Sequence, residues 1–518
     1  MKRTMKPIAN IGVILGFIFA STWPLATQAR LPNIVVLYAD DLGYGDVQCY
    51  NPDRSKIPTP NIDRLAGGGM RFTDAHSSSG VCTPSRYTLL TGRYHWRTKL
   101  QSGIVGLWGK PLIAKDRLTI GSLAKKQGYQ TACIGKWHLG WDWPITNDAR
   151  KAMQQAYPKN ALVTQELREV WKSVFNKPID GGPITRGFDV YFGTDVPNWP
   201  PYCFIDQDQT LGVPSEFLDE KQLERNLASR QGPALKDWNL ETILPSLKDR
   251  AVKFIANQAK TPKPFLLYLP FTSPHTPLSV SPAWKGKSGL GPYADLVMET
   301  DGVVGSILEA LESNGLTQNT MVIFTSDNGC AHYIDVNQLE AKGHFPSGPL
   351  RGYKSDAWEG GHRVPFIVRW PNIVQANSEN DALIHQADLL ATFAQILEVE
   401  LEANEGEDSF SLLPLLRGQT GNSPRATSVS CSIRGIPSVR QGPWKIILDA
   451  GSGGWTKGEV ATHLQLYNLG NDIGETNNLA MTHPQQVHDM QSMFESLIVN
   501  GRSSPGPQQS NDVNVKRY

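Results

Sequence analysis

Two pairs of neighbouring oxygen-bearing side chains stand out in the sequence as a possible metal site. Asp40 and Asp41 follow one apolar run, and Asp327 and Asn328 follow another. Clustered carboxylates repel each other, so a cation or a shared proton is needed to hold them together. Three carboxylates and an amide oxygen are hard ligands that suit Ca²⁺, or alternatively Mg²⁺, better than zinc. Either pair alone could be a turn, but together they predict one metal ion.

The segment Val81-Cys82-Thr83-Pro84-Ser85-Arg86 offers a different kind of chemistry. A lone cysteine in such a loop can be a core thiol, a disulfide partner, or a thiolate activated at a helix N-terminus, and helical-looking residues 87–91 follow it. The six cysteines of the chain show no dense disulfide framework, and their spacing gives no pairing. On these residues alone, the role of Cys82 stays open.

The string C-T-P-S-R at 82–86, followed by L-L-T-G-R at 89–93, resembles the signature of the type I (formylglycine-dependent), arylsulfatase-like sulfatases of the alkaline phosphatase superfamily. Further segments match that family in the same order: A-D-D-L-G-Y-G-D at 39–46, G-K-W-H-L-G at 135–140, P-H-T-P at 274–277, T-S-D-N-G at 325–329, and the segment 352–365. The resemblance covers residues 31 to about 371 and is looser beyond. It implies a sulfuric ester hydrolase whose cysteine is oxidised to formylglycine (3-oxoalanine) by a maturation enzyme.

The resemblance also implies a role for each matching residue. The catalytic set would be Cys82, Arg86, Lys136, His138, His275 and Lys354, and the metal ligands would be Asp40, Asp41, the modified Cys82, Asp327 and Asn328. A hydrated aldehyde has two hydroxyls: one can attack sulfur, and the second allows sulfate to leave as the aldehyde reforms.

In that scheme positive charge lies where negative charge develops. Arg86 would fix the hydrate, while Lys136, Lys354 and His275 would hold the sulfate oxygens. His275 is preferred over Lys354 as the acid that protonates the leaving alcohol, because an imidazole titrates near neutral pH. Either His138 or Asp327 would deprotonate the second hydroxyl.

The elements that must position these residues follow from the apolar pattern. Runs rich in β-branched residues are typical of strands buried on both faces of a parallel sheet, and they occur at 33–38, 131–134, 265–269 and 321–325. Helical patterns separate them at 118–127, 244–258 and 293–311. This alternation predicts an α/β sheet with helices on both faces. The family resemblance further implies a large mixed, mostly parallel sheet sandwiched by helices, as in alkaline phosphatase. Each strand delivers polar residues just beyond its carboxyl end, where open α/β sheets bind ligands.

The chain divides into unequal parts. Residues 1–29 have a basic start, an apolar run shorter than the ~20 residues of a membrane span, and small residues before Arg30, so they predict a signal peptide. Residues 30–417 form the expected catalytic domain. Short strands at 426–430, 438–439 and 444–448 and a helix at 484–499 predict a small α+β subdomain over 426–500. The polar residues 501–518 are expected to be a disordered tail.

Composition limits the partners. The chain has 518 residues and a formal charge of +1 from 50 basic and 49 acidic residues, so nothing indicates nucleic-acid binding. The expected partners are a sulfated saccharide or an aryl sulfate and the maturation enzyme. We expect an exported protein, periplasmic or secreted, without stable membrane insertion.

Four residues are weaker candidates for substrate contact. His344 and Arg363 flank the last lysine motif, and Trp199 and Tyr202 lie in a Trp- and Pro-rich segment whose rings could stack on a sugar. Two other functions remain: a phosphonate monoester or phosphodiester hydrolase of the same superfamily, and a sulfatase-like carbohydrate-binding protein that never matures. A two-zinc phosphatase ranks low because the sequence shows one hard-ligand cluster only.

Overall fold

A ten-stranded sheet forms the centre of the protein. The structure, a computed structural model, describes residues 31–155, 163–223, 228–419, 423–458 and 462–518, together with residues 1, 4 and 5. The expected signal peptide therefore lies almost wholly outside the described residues. Within the described part of the chain, no helix is both long and apolar enough to cross a membrane.

The described strands are short apart from those at the sheet centre. They are β1 Asn33–Asp40, β2 Met70–Phe72, β3 Ala75–His76, β4 Gln130–Lys136, β5 Val190–Thr194, β6 Ile205–Asp206, β7 Gln209–Thr210, β8 Glu216–Leu218, β9 Gly232–Ala234, β10 Phe265–Pro274, β11 Thr320–Ser326, β12 Phe366–Arg369, β13 Ser378–Asn380, β14 Ile384–His385, β15 Thr427–Cys431, β16 Pro437–Gln441, β17 Trp444–Ile447 and β18 Gln465–Asn468.

The described helices include the following twelve α-helical segments: α1 Pro60–Gly67, α2 Cys82–Thr91, α3 Ile120–Lys126, α4 Asn147–Gln155, α5 Gln165–Phe175, α6 Ile243–Gln258, α7 Pro292–Ser313, α8 Val336–Ala341, α9 Glu359–His362, α10 Asp388–Ile396, α11 Leu413–Leu416 and α12 Pro484–Asn500. The strands and helices predicted from the apolar pattern are all present, with bounds that differ by a few residues.

The main sheet has the order β13-β2-β12-β11-β1-β10-β4-β5-β6-β7. The five central strands β11, β1, β10, β4 and β5 are mutually parallel, while β12, β2 and β6 pair antiparallel with a neighbour. The mixed, mostly parallel sheet expected from the sequence is thereby confirmed. All eight residues of β1 are buried, as a strand covered on both faces requires.

Helices cover both faces of this sheet. Val35 and Leu37 of β1 belong to the same hydrophobic core as the buried residues of α1, α6 and α7. On the other face Tyr38 packs against Arg86 of α2 and hydrogen-bonds Gln386, which precedes α10. Successive side chains of a strand point to opposite faces of the sheet, so β1 contributes to the hydrophobic cores on both faces. Its residues at the carboxyl end reach the candidate site.

A close approach of β4 to β10 fixes the direction of the lysine motif. Gly135 has φ of 140°, and a Cβ there would lie 1.8 Å from the carbonyl oxygen of Pro270. Only glycine fits this position without moving a backbone. The next residue, Lys136, ends the strand fully buried and points to the carboxylates that follow β1.

The C-terminal segment forms its own four-stranded antiparallel sheet, in the order β15-β16-β17-β18, with α12 packed against it. The sheet and α12 agree with the small C-terminal α+β unit that the sequence predicts, although the antiparallel order and the last strand, β18, were not foreseen. The described residues between 32 and 518 nonetheless cluster as one compact unit.

Disorder was the wrong prediction for residues 501–518. Asp512 forms an ion pair with the buried Arg93 at 2.9 Å, and its backbone N–H donates to the carbonyl of Arg97 at 2.8 Å. Asn511 accepts from Arg97 at 2.9 Å, and Val515 is buried in the C-terminal core. Polar composition alone missed these contacts because the partners are arginines more than 400 positions away in the chain.

Candidate active site

Cys82 occupies the first turn of α2, at the bottom of a pocket. Val81 before it is extended, and the helix runs through the fully buried Arg86 to Thr91. The unpaired backbone N–H groups of a helix N-terminus favour negative charge on the first-turn residue. The C-T-P-S-R string thus places its cysteine at the positive end of a buried helix.

The cysteine lies beside the residues at the ends of two neighbouring strands. One ligand atom each of Asp40, Asp41, Cys82 and His275 all lie within 4.8 Å of one another, and all four residues are buried. Asp40 ends β1, and His275 follows β10, the parallel neighbour of β1.

The second acidic pair reaches the same point from the other side of β1. The backbone N–H of Asp41 donates to Asp327 Oδ1 at 3.0 Å, and Asn328 Nδ2 donates to Asp41 Oδ1 at 2.8 Å. Because β11 is the other parallel neighbour of β1, the pair that ends it lies next to the first pair. The sequence prediction that these four residues converge agrees with this geometry.

Two oxygens in this cluster are left without a hydrogen bond. Asp40 Oδ1 and Asn328 Oδ1 are both buried, and no donor among the described residues is within hydrogen-bonding geometry of them. Buried acceptors without a partner are costly, and two hard oxygens beside two further carboxylates suit a Ca²⁺ or Mg²⁺ ion. The donor set therefore fits the metal that the sequence analysis expects.

Three cations balance the carboxylates. Lys136 Nζ lies 2.7 Å from Asp40 Oδ2, and Lys354 Nζ lies 2.6 Å from Asp41 Oδ2. Arg86 is paired with Asp327 at 2.8 Å and lies 3.5 Å from Asp40. A tetrahedral anion entering this site would meet positive charge from the two lysines and the arginine.

These contacts control the charge of the carboxylates. Burial alone would raise the pKa of Asp40, but Lys136 and the other nearby cations outweigh it and hold the pKa well below its usual range. Burial raises the pKa of Asp327 to about 7, and the Asp40 carboxylate adds to the rise. Burial would also lower the pKa of Lys354, yet Asp41 raises it well above the usual value. Asp40 is ionised, and both lysines are charged, at neutral pH.

The contacts of His138 determine its tautomer. Its Nε2 lies 3.3 Å from the carbonyl of Val105, which can only accept, so Nε2 carries the hydrogen and Nδ1 is a free lone pair. Nδ1 is buried and has no hydrogen-bond partner. Burial and the nearby Lys136 lower the pKa of His138 well below its usual value, so the ring is neutral at neutral pH.

His275 is oriented differently. Its Nδ1 lies 2.6 Å from the carbonyl of Thr276 and therefore donates, while Nε2 faces Asp41 Oδ2 at 3.5 Å. The two rings thus differ in the nitrogen that meets a backbone carbonyl, which is Nε2 in His138 and Nδ1 in His275.

A cavity of about 330 Å³ opens above these groups. Its walls are Val81, Cys82, Ile104, His138, Val196, Asn198, Trp199, Ala228, Arg230, His275, Tyr333, Lys354, Ile433 and Trp455. Most of the wall beyond the catalytic groups is aliphatic or aromatic, and a pocket with an apolar wall and a few polar groups at its floor is typical of a small-molecule site.

A family model described as Sulfatase matches residues 32–399. The chain belongs to the sulfatase family. It is a hydrolase of sulfate esters, and the fold and the signature strings agree with this assignment. The resemblance that the sequence motifs indicate is thereby confirmed.

The alignments with known sulfatases cover nearly the whole chain. It is 34% identical to an N-acetylgalactosamine-6-O-sulfatase of Bacteroides thetaiotaomicron over 491 residues, which are 91% of this chain and 94% of the relative. It is 32% identical to human arylsulfatase A over 477 residues, 87% of this chain and 84% of the relative.

Solved structures give the same result for the fold. A structure described with the metabolism of multiple glycosaminoglycans by Bacteroides thetaiotaomicron has a TM-score of 0.74 and 30% identity, covering 90% of this chain and 99% of that one. A sulfatase from Pseudoalteromonas has a TM-score of 0.67 and 25% identity, covering 93% of both chains.

Three weaker candidates do not line the pocket of the sulfatase. Tyr202 is buried, and its hydroxyl donates to the carbonyls of Asn198 and Arg230, so it supports the pocket wall instead of stacking on a sugar. His344 is fully buried and paired with Asp46 at 2.8 Å. Trp199, the fourth weaker candidate, does line the pocket, and the centre of its ring lies 5.6 Å from that of His138.

Arg363 belongs to a second buried ionic cluster. In this cluster Glu359 pairs with Lys445 at 2.9 Å and with Arg363 at 3.3 Å, and His76 and His362 approach each other at 3.1 Å through their Nδ1 atoms. The charges here neutralise each other and face no catalytic group. For Arg363 the sequence could not distinguish a substrate contact from a structural ion pair, because the segment that contains it continues directly from the lysine motif.

Sequence reasoning missed the wall residues that come from the C-terminal segment and from the loops after β11 and α2. Tyr333, Ile433, Trp455 and Ile104 lie in loops without a recognisable motif. Trp455 could have been noticed only as a tryptophan within a glycine-rich turn, S-G-G-W-T at 452–456. Which loops meet at a pocket is a property of the tertiary fold.

Proposed function

We propose that this sulfatase removes sulfate from sulfated carbohydrates, with formylglycine formed from Cys82 as the nucleophile and one Ca²⁺ as its cofactor. The supporting observation is the cluster in which Cys82, Asp40, Asp41 and His275 place their ligand atoms within 4.8 Å of one another. A nucleophile next to three strand ends, with counter-charges on every side, is what sulfate transfer needs.

Calcium would bind through Asp40, Asp41, Asp327, Asn328 and the modified residue 82. Asp40 Oδ1 and Asn328 Oδ1, the acceptors that lack a hydrogen bond, are its first ligands in this proposal. Bound there, the ion would lower the pKa of the attacking hydroxyl and withdraw charge from the sulfate.

The chain's own residues would bind and orient the sulfate group. Lys136 and Lys354, whose ammonium groups already lie against carboxylates, would turn part of their hydrogen bonds to sulfate oxygens. Arg86 would orient the hydrate through the same guanidinium that holds Asp327. These groups stabilise the charge that develops as the S–O bond breaks.

Two proton transfers complete the cycle. His275 would donate its Nε2 proton to the oxygen of the leaving alcohol, and His138 would accept a proton at Nδ1 from the remaining hydroxyl of residue 82. The lone pair on His138 Nδ1 favours it over Asp327, whose Oδ2 is engaged by Arg86 at 2.8 Å. The bond between residue 82 and the sulfate oxygen breaks, sulfate leaves, and the aldehyde reforms. Water then adds to the aldehyde to restore the hydrate, and proton exchange with solvent returns His275 and His138 to their starting states.

The substrate is proposed from the relatives. Since one is an N-acetylgalactosamine-6-O-sulfatase at 34% identity, a 6-O-sulfated N-acetylgalactosamine residue is the first compound to test, followed by aryl sulfates. We also propose that the sulfatase is exported, on the basis of the basic and apolar N-terminal residues 1–29.

Mass spectrometry of the peptide that contains residue 82 tests the nucleophile. Protein from its native host should carry an aldehyde in place of the thiol at that position, and purified enzyme should then hydrolyse N-acetylgalactosamine 6-sulfate. A thiol that persists in protein from the native host would contradict the mechanism and favour the carbohydrate-binding alternative. Faster hydrolysis of an aryl phosphodiester than of an aryl sulfate would favour the phosphodiesterase alternative.

A further inference from the structure

Trp455 is a large aromatic residue whose side chain is partly exposed to solvent within the pocket. Its side chain is 38% exposed, and it lines the pocket together with Cys82 and Lys354. Its ring centre lies 5.9 Å from that of Tyr333, which lines the same pocket. An exposed aromatic surface inside a catalytic cavity is typical of a ligand contact.

The loop that carries Trp455 is attached to the segment that carries Lys354. The backbone N–H of Trp455 donates to Ser355 Oγ at 2.8 Å, and the N–H of Thr456 donates to Asp356 Oδ1 at 3.3 Å. The hydroxyl of Thr456 also donates to Asp356 Oδ2. Residues about 100 positions apart in the chain are thus held in fixed register next to a sulfate-binding lysine.

Gly454 allows the two segments to approach this closely. A Cβ at position 454 would lie 2.4 Å from Asp356 Oδ1 and 2.5 Å from the carbonyl oxygen of Ser355. Asp356 itself is fully buried and also accepts from the backbone N–H of Tyr353 at 2.9 Å. One carboxylate therefore closes the turn after Lys354 and holds the Trp455 loop.

We propose that Trp455 determines substrate specificity by packing on the ring that carries the sulfate group, and that Asp356 is a positioning residue that fixes Trp455 relative to Lys354. The inference rests on the proposed function and names what the apolar wall of that site recognises. The C–H face of a pyranose is apolar and matches an aromatic ring, while sulfate is bound by the floor of the pocket. The C-terminal segment thereby takes part in substrate choice.

Steady-state kinetics with N-acetylgalactosamine 6-sulfate, and inhibition by inorganic sulfate, separate ring recognition from sulfate recognition. Trp455→Ala should raise KM about 3- to 10-fold, the size of one aromatic packing interaction, with kcat within about twofold. The inhibition constant of inorganic sulfate should stay unchanged, because sulfate does not reach the ring contact. Trp455→Phe should restore most of the affinity.

A matched pair at Thr456 tests the positioning role. Thr456→Val removes the hydroxyl that donates to Asp356 and should raise KM in the same direction as Trp455→Ala, whereas Thr456→Ser keeps the hydroxyl and should behave like the wild type. Met481→Ala, at an exposed apolar residue that does not line the pocket, is the control and should change nothing.

The outcomes distinguish this inference from the proposed function. An unchanged KM in Trp455→Ala, or a parallel loss of affinity for inorganic sulfate, overturns the role of Trp455. Equal kinetics for Thr456→Val and Thr456→Ser overturn the role of Asp356. If mature wild-type enzyme does not hydrolyse the sugar sulfate, the proposed substrate fails, and calorimetric binding of the same sugar sulfate to wild type and Trp455→Ala then decides the inference.

Discussion

Two buried ionic clusters in this protein look alike in composition and differ in how their charges are satisfied. In the catalytic cluster around Asp40, Asp41, Asp327 and Cys82, two buried oxygens lack a hydrogen bond and a pocket opens above them. In the cluster around Glu359, both oxygens of Glu359 are paired with cations, and each histidine ring contacts a polar partner. Glu475 Oε1 lacks a hydrogen bond to a described residue, but it forms an ion pair with the Lys445 ammonium at 2.8 Å.

We interpret this difference as the one between the proposed reactive site and a structural cluster. Both clusters contain groups of three or more residues that could hold a metal ion. Lys445 reaches the Glu359 cluster from β17 and lies 2.9 Å from Glu359 and 2.8 Å from Glu475. Its ammonium already neutralises the carboxylates there, so a metal ion would have to displace it. We therefore interpret the Glu359 cluster as the ionic connection between the C-terminal sheet and the main sheet.

The largest expected effect is in the catalytic cluster. Cys82→Ser should lower kcat by more than about 10⁴-fold, the scale on which enzymes lose a covalent nucleophile, because a serine hydroxyl cannot reform an aldehyde to release sulfate. Circular dichroism and the denaturant midpoint should remain those of the wild type. The partly buried Cys49 provides a control, since Cys49→Ser should remain active. Full turnover in Cys82→Ser would contradict the proposed nucleophile.

The Glu359 cluster should respond in stability. Glu359→Gln leaves Lys445 and its arginine neighbours buried with less counter-charge, so the free energy of unfolding should fall by about 3–5 kcal/mol, as when other buried ion pairs are broken. Activity per folded molecule should be retained. Glu495→Gln, which breaks a surface pair with Arg517 at 2.9 Å, should change stability by less than about 1 kcal/mol. Equal destabilisation by both variants would end the distinction between the clusters.

A metal ligand should behave in the opposite way. Asp40→Asn should weaken calcium binding about 100-fold or more, since even residues that only support a ligand contribute 10- to 100-fold. Titration calorimetry with CaCl₂ measures this directly, without turnover. The exposed Asp489 supplies the control, and Asp489→Asn should bind calcium like the wild type. Unaltered calcium affinity in Asp40→Asn would show that the acidic cluster is held together by its lysines alone.

The smallest expected effect is on the pH dependence of stability, and it involves His362 of the Glu359 cluster. Burial lowers the pKa of His362 well below its usual value, with Lys445 adding to the shift, so the ring stays neutral in the folded protein. The unfolded chain binds that proton below pH ~6.5, and stability is therefore lost as the pH falls below this value, by about 1.4 kcal/mol per pH unit.

Denaturant unfolding between pH 7 and pH 5 tests this contribution. His362→Gln should flatten the slope of stability against pH by that amount, whatever its stability at pH 7. His488→Gln, at an exposed histidine, should leave the slope unchanged. An identical slope in wild type and His362→Gln would mean that the buried ring is protonated in the folded state.

The sequence by itself determined the main sheet and the floor of the site. Buried apolar runs such as residues 33–38 have to become central strands, and parallel strands bring their carboxyl ends to one edge, so Asp40, Lys136 and Asp327 meet for reasons that a one-dimensional pattern contains. The resemblance of the segment around Cys82 to the sulfatase signature supplied the rest of the proposed catalytic set.

Only the tertiary structure decided which residues surround that floor. His344 and Arg363 lie close in the chain to Lys354, yet they pair with Asp46 and Glu359 away from the pocket, whereas Trp455 enters it from about 100 positions further along. The physical reason is that loops and buried ion pairs leave no periodic pattern in the sequence, unlike helices and strands. Their partners are chosen by the space and charge that remain after the sheets have packed, and that choice is not written in any local stretch of sequence.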